Sequence, residues 1–437
     1  MLFGQIPFLP LVDGECTPEL TAALARIVPL LVPSSLAAAT VPSLPPTAEY
    51  YVLDDTHASV EDAIAFLDRG ATRIVSKNAR LLAQVPAERL VLHLDGSSRD
   101  ASILASADLV ASVSGVLLET TDFAESHLEP YRAALKRNAQ PDRRPLDLFV
   151  LCASRDRTQT LAQPAALKLV AKSVAATSVL ATSVLSATVG NLSAPHPEDD
   201  GTLSVATLYT TALRTDRQDG LFVTVPVSLA SVPTALGVVY SSGESIARSI
   251  VSGNATYYSR SRQGLWEKGL TSGAMQRVER IRYDCDCDAV EFGVVESGPK
   301  GEQEGFCHVP EQQSCFGGVT GLADLEATLK ERMRAAPAGS YTKRLFSEPQ
   351  LLRAKIMEEA GEVCDAATPE DLAGEVADLV YFTLTRAVSM GVSLKDVQRV
   401  LDRRSLKVTR RKGDAKPEWI DKLGLDADQA VGVAGEK

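Results

Sequence analysis

The hydrophobic pattern changes character twice along the 437-residue chain. Over residues 1–215, short apolar runs alternate with helical stretches. Tyr50–Leu53, Arg73–Val75, Leu90–Leu94 and Leu146–Leu151 read as strands. Ser59 caps a helix running to about Leu67, with Asp62 at capping-box spacing, and Gly70 ends it. The Ala/Val/Leu-rich stretch Leu167–Val189 reads as a buried helix, because Lys168, Lys172 and many hydroxyl residues make it too polar to span a bilayer. Repeated strand–helix units imply a parallel α/β layer. Residues 216–318 are mainly β, with strands expected at Leu221–Val227, Leu236–Tyr240, Val278–Tyr283 and Val290–Val295 and one helix near Ser245–Ser252. Phe316–Gly321 (FGGVTG) reads as a linker, and from Leu322 the pattern is almost wholly helical. The expected organisation is an α/β domain over 1–215, with no assigned role, a mainly-β domain over 216–318 and an all-α domain over 319–437.

Composition narrows the class. The net charge is −11, with 45% apolar and 23% charged residues. That is a globular balance whose sign argues against duplex nucleic acid or an anionic membrane as partner. The opening MLFGQIPFLPLVDGE lacks the basic flank and long apolar run of a signal peptide. Four of the seven cysteines fall between Cys285 and Cys315. Without a secretion signal, such clustering points to metal before disulfides, and to a reducing, cytoplasmic compartment. Within 1–215, Asp54, Asp55, His57, His93 and Asp95 are candidates for a site, but they read as loop and strand-end residues.

The densest chemistry is Arg280–Glu291, RIRYDCDCDAVE. Taken as one strand, it projects Asp284, Asp286 and Asp288 from one face and Cys285 and Cys287 from the other. Carboxylates suit magnesium (Mg²⁺) and thiolates suit zinc (Zn²⁺). Alternate side chains on a flat strand lie about 6.6 Å apart, so three Asp reach one ion only if the strand bends or waters bridge. Downstream, Cys307 and Cys315 in FCHVPEQQSCF supply further thiols. Three Cys ligands leave a fourth zinc position for water. His308, the only histidine of 216–318, is the candidate proton shuttle.

A second constellation lies in the helical part. Ile356, Glu359, Ala360, Glu362 and Val363 match Leu372, Glu375, Val376, Asp378 and Leu379 in register. Each set places an apolar stripe at i, i+4, i+7 beside an acidic pair at i, i+3. Packing the stripes together brings four carboxylates to one edge, and cations are needed to relieve their repulsion. Thr368 and Pro369 open the second helix.

Three groups of motifs carry resemblances. YYSRSR and LW-x-KG-x-TSG within Thr256–Gln276, followed by DCD-x-D and CH…SCF, resemble phosphoribosyl-AMP cyclohydrolase. SYTKRLF at Ser340–Phe346, K-x-x-EE-x-x-E and E-x-x-D resemble phosphoribosyl-ATP pyrophosphohydrolase of the all-helical MazG-like fold. DAIAFLDRGATRIVS at Asp62–Ser76 resembles a strand–helix repeat of the barrel isomerases of histidine synthesis, a repeat common among α/β proteins. The first two together resemble a fungal-type bifunctional histidine-biosynthesis enzyme.

The resemblance implies roles. Asp284, Asp286 and Asp288 would bind magnesium, and Cys285, Cys307 and Cys315 zinc, with the zinc site shared across a homodimer. Ser259, Arg260, Arg262, Trp266, Lys268, Thr271 and Ser272 would bind substrate. In the helical domain Glu359, Glu362, Glu375 and Asp378 would bind magnesium, with Glu358 as a fifth carboxylate and Glu359 and Glu362 in catalysis. Lys343, Arg344 and Lys355 would neutralise a triphosphate, and Arg403–Lys416 either helps or is only a basic helix end. The substrates would be phosphoribosyl nucleotides: pyrophosphate is released first, and the adenine ring of the product is then opened. This chain departs from the family pattern in having Ala274 after TSG, a longer CH-to-SC loop, and an extra thiol, Cys287, able to compete for zinc. Two alternatives follow: a protein that keeps one activity and uses the other domain for binding or regulation, or a general nucleotide pyrophosphatase.

Overall fold

The computed structural model describes residues 8–14, 16–95, 104, 106–120, 125–137, 146–152, 177–190, 192, 202–298, 306–307, 309, 312–318 and 320–409. Eight strands come first: β1 (Phe8–Leu11), β2 (Leu30–Pro33), β3 (Tyr50–Leu53), β4 (Arg73–Ser76), β5 (Leu90–Leu94), β6 (Gly115–Thr120), β7 (Asp147–Cys152) and β8 (Thr177–Ala181). Each pairs in parallel with the next, and β8 returns to β1 in the register Phe8↔Ser178 to Leu11↔Ala181. The expected parallel α/β layer is a closed, TIM-like barrel rather than an open sheet. Strand–helix alternation is common to both architectures, and the closing pair joins strands that no local pattern links. Part of the stretch expected as a helix is β8 itself, where Thr177 and Val179 suit a strand. Residues 167–176 of that stretch lie outside the described residues.

Side-chain alternation divides the barrel into two cores. Leu9, Leu31, Tyr51, Val75, Val91, Leu117, Phe149 and Val179 fill the interior. The intervening residues, such as Phe8, Val52, Ile74 and Val116, face outward beneath helices α1 (Pro18–Ala25), α2 (Ala37–Thr40), α3 (Val60–Asp68), α4 (Ala107–Ala111) and α5 (Glu125–Arg137). Ser59 and Asp62 form the expected capping box on α3.

After the barrel, β9 (Leu185–Ser186) and β10 (Leu203–Ser204) form a short parallel pair leading into α6 (Val205–Thr210). The middle domain is a mixed sheet of β11 (Phe222–Ser228), β12 (Thr234–Ala235), β13 (Val239–Ser241), β16 (Met275–Tyr283) and β17 (Ala289–Ser297), ordered β12–β11–β17–β16 with β13 also on β11. Between β13 and β16 come helix α7 (Gly243–Ser252) and the hairpin β14 (Thr256–Ser259) to β15 (Gly264–Glu267). Leu236, expected to begin a strand, is instead a buried loop residue ahead of β13. The outer barrel core runs on into Ile246, Ile250, Tyr257, Val278 and Phe292 of this domain. Arg26, just after α1, stitches the two together. Its guanidinium donates to the carbonyls of Ile250 (2.8 Å) and Val278 (3.3 Å), and its own carbonyl accepts from Ile281 N–H.

The remaining described residues are helical: α8 (Leu322–Ala335), α9 (Tyr341–Ser347), α10 (Pro349–Asp365), α11 (Pro369–Ser389) and α12 (Leu394–Ser405). Glu326 of α8 accepts from Ser231 Oγ and Leu394 N–H, tying this part to the middle domain. Among the described residues no helix is long and apolar enough to cross a membrane.

Candidate functional site

The Asp/Cys run is not a strand. β16 stops at Tyr283, β17 starts at Ala289, and residues 284–288 form the hairpin loop between them. Asp284 builds the loop. Its Oδ1 accepts from the N–H groups of Asp288 (3.0 Å) and Ala289 (3.1 Å), a side-chain closure of the loop that ends the strand pairing there. The turn removes the reach problem of a flat strand: carboxylate oxygens of Asp284, Asp286 and Asp288 lie within 4.8 Å of one another. Burial opposes ionisation of Asp284, but hydrogen bonds from Ala289, Asp286 and Asp288 outweigh it and hold its pKa low. Asp288 is pushed up by its hydrogen bond with Asp284 and by the charges around it. Such a set suits a hard divalent cation.

The two loop thiols separate by environment rather than by strand face. Cys287 has a left-handed φ of 66° and is buried, and its carbonyl accepts from Arg214 N–H. Burial raises its pKa, so it is a core thiol and a poor competitor for metal. Cys285 is exposed.

Cys307 and Cys315 come together at the far end of the sheet. Cys315 is pushed up by partial burial and by its hydrogen bond with Cys307, while Lys268 opposes the rise. Cys315 N–H donates to Leu236 O, and a side chain at Gly237 would press on Phe306 and the Cys315 sulfur. Among the described residues, Cys285 does not join these two thiols in a ligand cluster within one chain. His308 lies outside the described residues.

The cationic strip borders this region. Ser259, Arg260 and Arg262 sit at the tip of the β14–β15 hairpin. Arg260 stacks 3.9 Å over the Tyr240 ring, with Arg217 also over that ring at 4.6 Å. Lys268 lies over Trp266 (5.8 Å) and Phe306 (5.3 Å) and donates to Phe306 O. Thr271 and Ser272 are exposed in a loop that turns at Gly269, φ 86°, where a Cβ would meet Ala274 O at 2.3 Å. Ala274 is buried beneath that loop.

Sequence reasoning passed over Glu296 and Gln276, cross-strand partners on β17 and β16. Glu296 is 7% exposed, and its pKa is raised by burial against the opposing bond from Ser228 and the charge of Lys268. Among the described residues its Oε1 and the Gln276 Nε2 have no hydrogen-bond partner, while Tyr257 Oη donates to Gln276 Oε1. The signal was a Glu at an inward β17 position, which is visible only once the register is known.

The helical carboxylates converge as the register predicts. Oxygens of Glu359, Glu375 and Asp378 lie within 4.8 Å, and so do those of Glu358, Glu359 and Glu362. Thr368 caps α11 through Asp371 N–H. Lys355 bridges Glu358 (2.9 Å) and Glu359 (2.7 Å). Glu362 is raised by desolvation and then by Glu359, Glu375 and Glu358. Arg344 is committed to Glu348 at 2.8 Å, and Lys343 is exposed. The two stripes pack only in part: Leu372 and Val376 are 40% and 42% exposed, and the buried contacts of α11 lie further along, at Phe382, Leu384 and Val388.

At the carboxyl end of the barrel strands, His93, Asp95 and Glu119 also gather. Glu119 and Lys77 were not candidates from sequence. Lys77 bonds Asp95 and sits 3.7 Å from Glu119, so the chain supplies its own cation there. Asp54 and Asp55 accept from Ser76 and from Ser34 and Ser35. His57 sits at φ 55° just beyond β3, outside that cluster.

Residues 237–317 match the family model of phosphoribosyl-AMP cyclohydrolase, and residues 322–405 that of phosphoribosyl-ATP pyrophosphohydrolase. A histidine biosynthesis bifunctional protein of Schizosaccharomyces pombe is 51% identical over 232 residues, 53% of this chain and 54% of that protein. A histidine biosynthesis trifunctional protein of Neurospora crassa is 40% identical over 369 residues, 84% of this chain and 38% of its own length, a match long enough to reach into the barrel. A histidine biosynthesis bifunctional protein of Thermus thermophilus is 37% identical over 195 residues, and the match covers 86% of it. The chain thus spans about half the length of the Schizosaccharomyces relative and less of the Neurospora one. The chain belongs to the family of bifunctional histidine-biosynthesis proteins that join a cyclohydrolase domain to a pyrophosphohydrolase domain.

Proposed function

We propose that the helical domain hydrolyses phosphoribosyl-ATP to phosphoribosyl-AMP and pyrophosphate, and that the middle domain then opens the adenine ring of that product by hydrolysis. The observation that carries the reading is the presence of two carboxylate clusters, on a hairpin loop and on a helix pair, whose oxygens lie close enough to share a divalent cation. Magnesium would be held by Asp284, Asp286 and Asp288 and by Glu359, Glu362, Glu375 and Asp378, and zinc by Cys307 and Cys315 with Cys285 of a second copy of the chain. When bound, magnesium supplies neutralisation of phosphate charge and zinc supplies acidified water at neutral pH.

The chain's own groups do the rest. Arg260 and Arg262 hold phosphate at the hairpin tip, and the Tyr240 ring keeps the Arg260 guanidinium flat and in place. Lys268, held between Trp266 and Phe306, brings a positive charge next to the thiol pair, with Thr271 and Ser272 adding hydroxyl donors. His308 is assigned the proton transfer of ring opening. In the helical domain Lys355 pairs with Glu359, and Lys343 and Arg344 on α9 are assigned to the triphosphate, Arg344 by exchanging its Glu348 partner for phosphate. Exposure of Cys285, and of Leu372 and Val376 on α11, favours a homodimer or larger assembly.

Feeding phosphoribosyl-ATP to the full chain with magnesium and zinc, and weighing the products, tests the reading. Pyrophosphate together with a ring-opened product supports it. Pyrophosphate alone points to a chain with one surviving activity. Equal turnover of common nucleoside triphosphates points to a general pyrophosphatase.

A further inference from the structure

A cleft of about 690 Å³ opens where the barrel, the middle-domain sheet and the end of α12 meet. Six arginines line it, Arg26, Arg69, Arg280, Arg282, Arg399 and Arg403, against three carboxylates, Glu49, Glu279 and Asp402. That local excess of positive charge stands out in a chain of net charge −11. Four of the arginines already have partners. Arg26 donates to backbone carbonyls, Arg280 pairs with Glu291, Arg282 with Glu49, and Arg399 lies 3.7 Å from Asp396. Arg69 and Arg403 form no ion pair among the described residues. One stands on the barrel wall beyond α3 and the other on the α12 wall. Like charges on facing walls repel, and a ligand that brings negative charge between them removes that cost. The cleft is not charged throughout: Val41, Leu44, Pro45 and Pro46 supply an apolar face.

We propose that this cleft binds a phosphorylated small molecule of nucleotide size, with its phosphates on Arg69 and Arg403 and its uncharged body against Leu44–Pro46. The volume falls in the range of small-molecule sites, which favour domain junctions. Planar guanidinium forks match phosphate oxygens. The site is separate from both hydrolytic centres but physically joined to one of them, because residues 279–283 of β16 line the cleft and lead directly into Asp284. The α12 wall is clamped to the barrel by Arg89 donating to Leu406 O at 2.6 Å and by Asp68 accepting from Val408 N–H at 2.7 Å. A ligand spanning the walls therefore reinforces an existing junction.

Calorimetric titration of the full chain with ADP, and separately with inorganic phosphate, tests this without added divalent metal. The expected result is an ADP site that weakens at least about tenfold in the Arg69→Ser/Arg403→Ser double variant and persists in Arg260→Ser/Arg262→Ser. Binding should weaken as salt is raised, and phosphate should bind more weakly than ADP because it leaves the apolar face unused. Both substituted side chains are exposed and form no ion pair among the described residues, Arg69 lying 6.0 Å over the Phe66 ring. In addition, ADP should slow amide exchange over residues 399–409 in the wild type and not in the double variant. An unchanged ADP titration in the double variant overturns the proposal, as does phosphate binding as tightly as ADP.

Discussion

Lys355 Nζ lies 2.7 Å from Glu359 Oε1, one turn away on α10, and Glu359 is only 4% exposed. The ammonium thus orients and neutralises one oxygen of a buried carboxylate that the proposed function assigns to a cation. Lys355→Met should therefore lower the rate of pyrophosphate release about ten- to a hundredfold. Raising magnesium should recover part of the loss. Glu375→Gln, which removes a ligand outright, should reduce release about a hundredfold or more while ring opening of added phosphoribosyl-AMP stays at the wild-type rate. Separate assays of pyrophosphate and of ring-opened product check both variants.

Crowding at Glu362 gives a pH dependence. Desolvation and then the neighbouring carboxylates Glu359, Glu375 and Glu358 raise its pKa above the ordinary value of 4.5. The folded helix pair thus binds the proton more tightly than the unfolded chain. The stability this adds is fully present below pH 4.5 and is lost as pH rises through the folded pKa. In metal-free protein, Glu362→Gln should raise the midpoint of helical-domain unfolding at neutral pH and leave it nearly unchanged at pH 4.5 or below. Melting curves followed by helix circular dichroism at the two pH values decide this. A lower midpoint for the variant at neutral pH would contradict it.

The hairpin loop predicts different outcomes for two of its positions. Asp284 Oδ1 accepts two backbone N–H groups in a largely exposed loop, so Asp284→Ala should cost about 1 kcal/mol and should also disperse Asp286 and Asp288. Ring opening should fall by at least about a hundredfold. Cys287→Ala, in contrast, should leave zinc content per chain unchanged, because that thiol is buried in the core. Metal analysis of the purified variants separates the two.

Arg26 joins the barrel to the middle domain through Ile250, Val278 and Ile281. Arg26→Met should destabilise this junction by about 2–3 kcal/mol, since two charge-assisted bonds are lost. Gly253→Ala should act in the same direction. Its φ is 76°, and the added Cβ would lie 2.5 Å from the Arg26 guanidinium. Urea unfolding of each variant, with amide exchange at β16, measures the effect.

The sequence was most legible where local rules fix the outcome. Tyr50–Leu53 and Leu90–Leu94 are strands at the expected bounds, Ser59 and Thr368 cap their helices, and Glu359, Glu375 and Asp378 meet as the repeat requires. It was least legible where distant segments or short turns decide. Barrel closure depends on β8 meeting β1, which no local periodicity encodes. Alternation suggested one strand through Asp284–Asp288, but Asp284 capped its own turn and left Cys287 in a left-handed conformation. The Glu119–His93 contact and the Glu296–Gln276 pair likewise needed strand register before they could be seen.

The central claim is that two independent hydrolytic centres act in order within one chain. The most direct test is the mass of the product formed from phosphoribosyl-ATP by the Cys307→Ser protein. Accumulation of phosphoribosyl-AMP, with pyrophosphate released at the wild-type rate, is the predicted result. A ring-opened product, or loss of pyrophosphate release from a folded variant, would contradict the account.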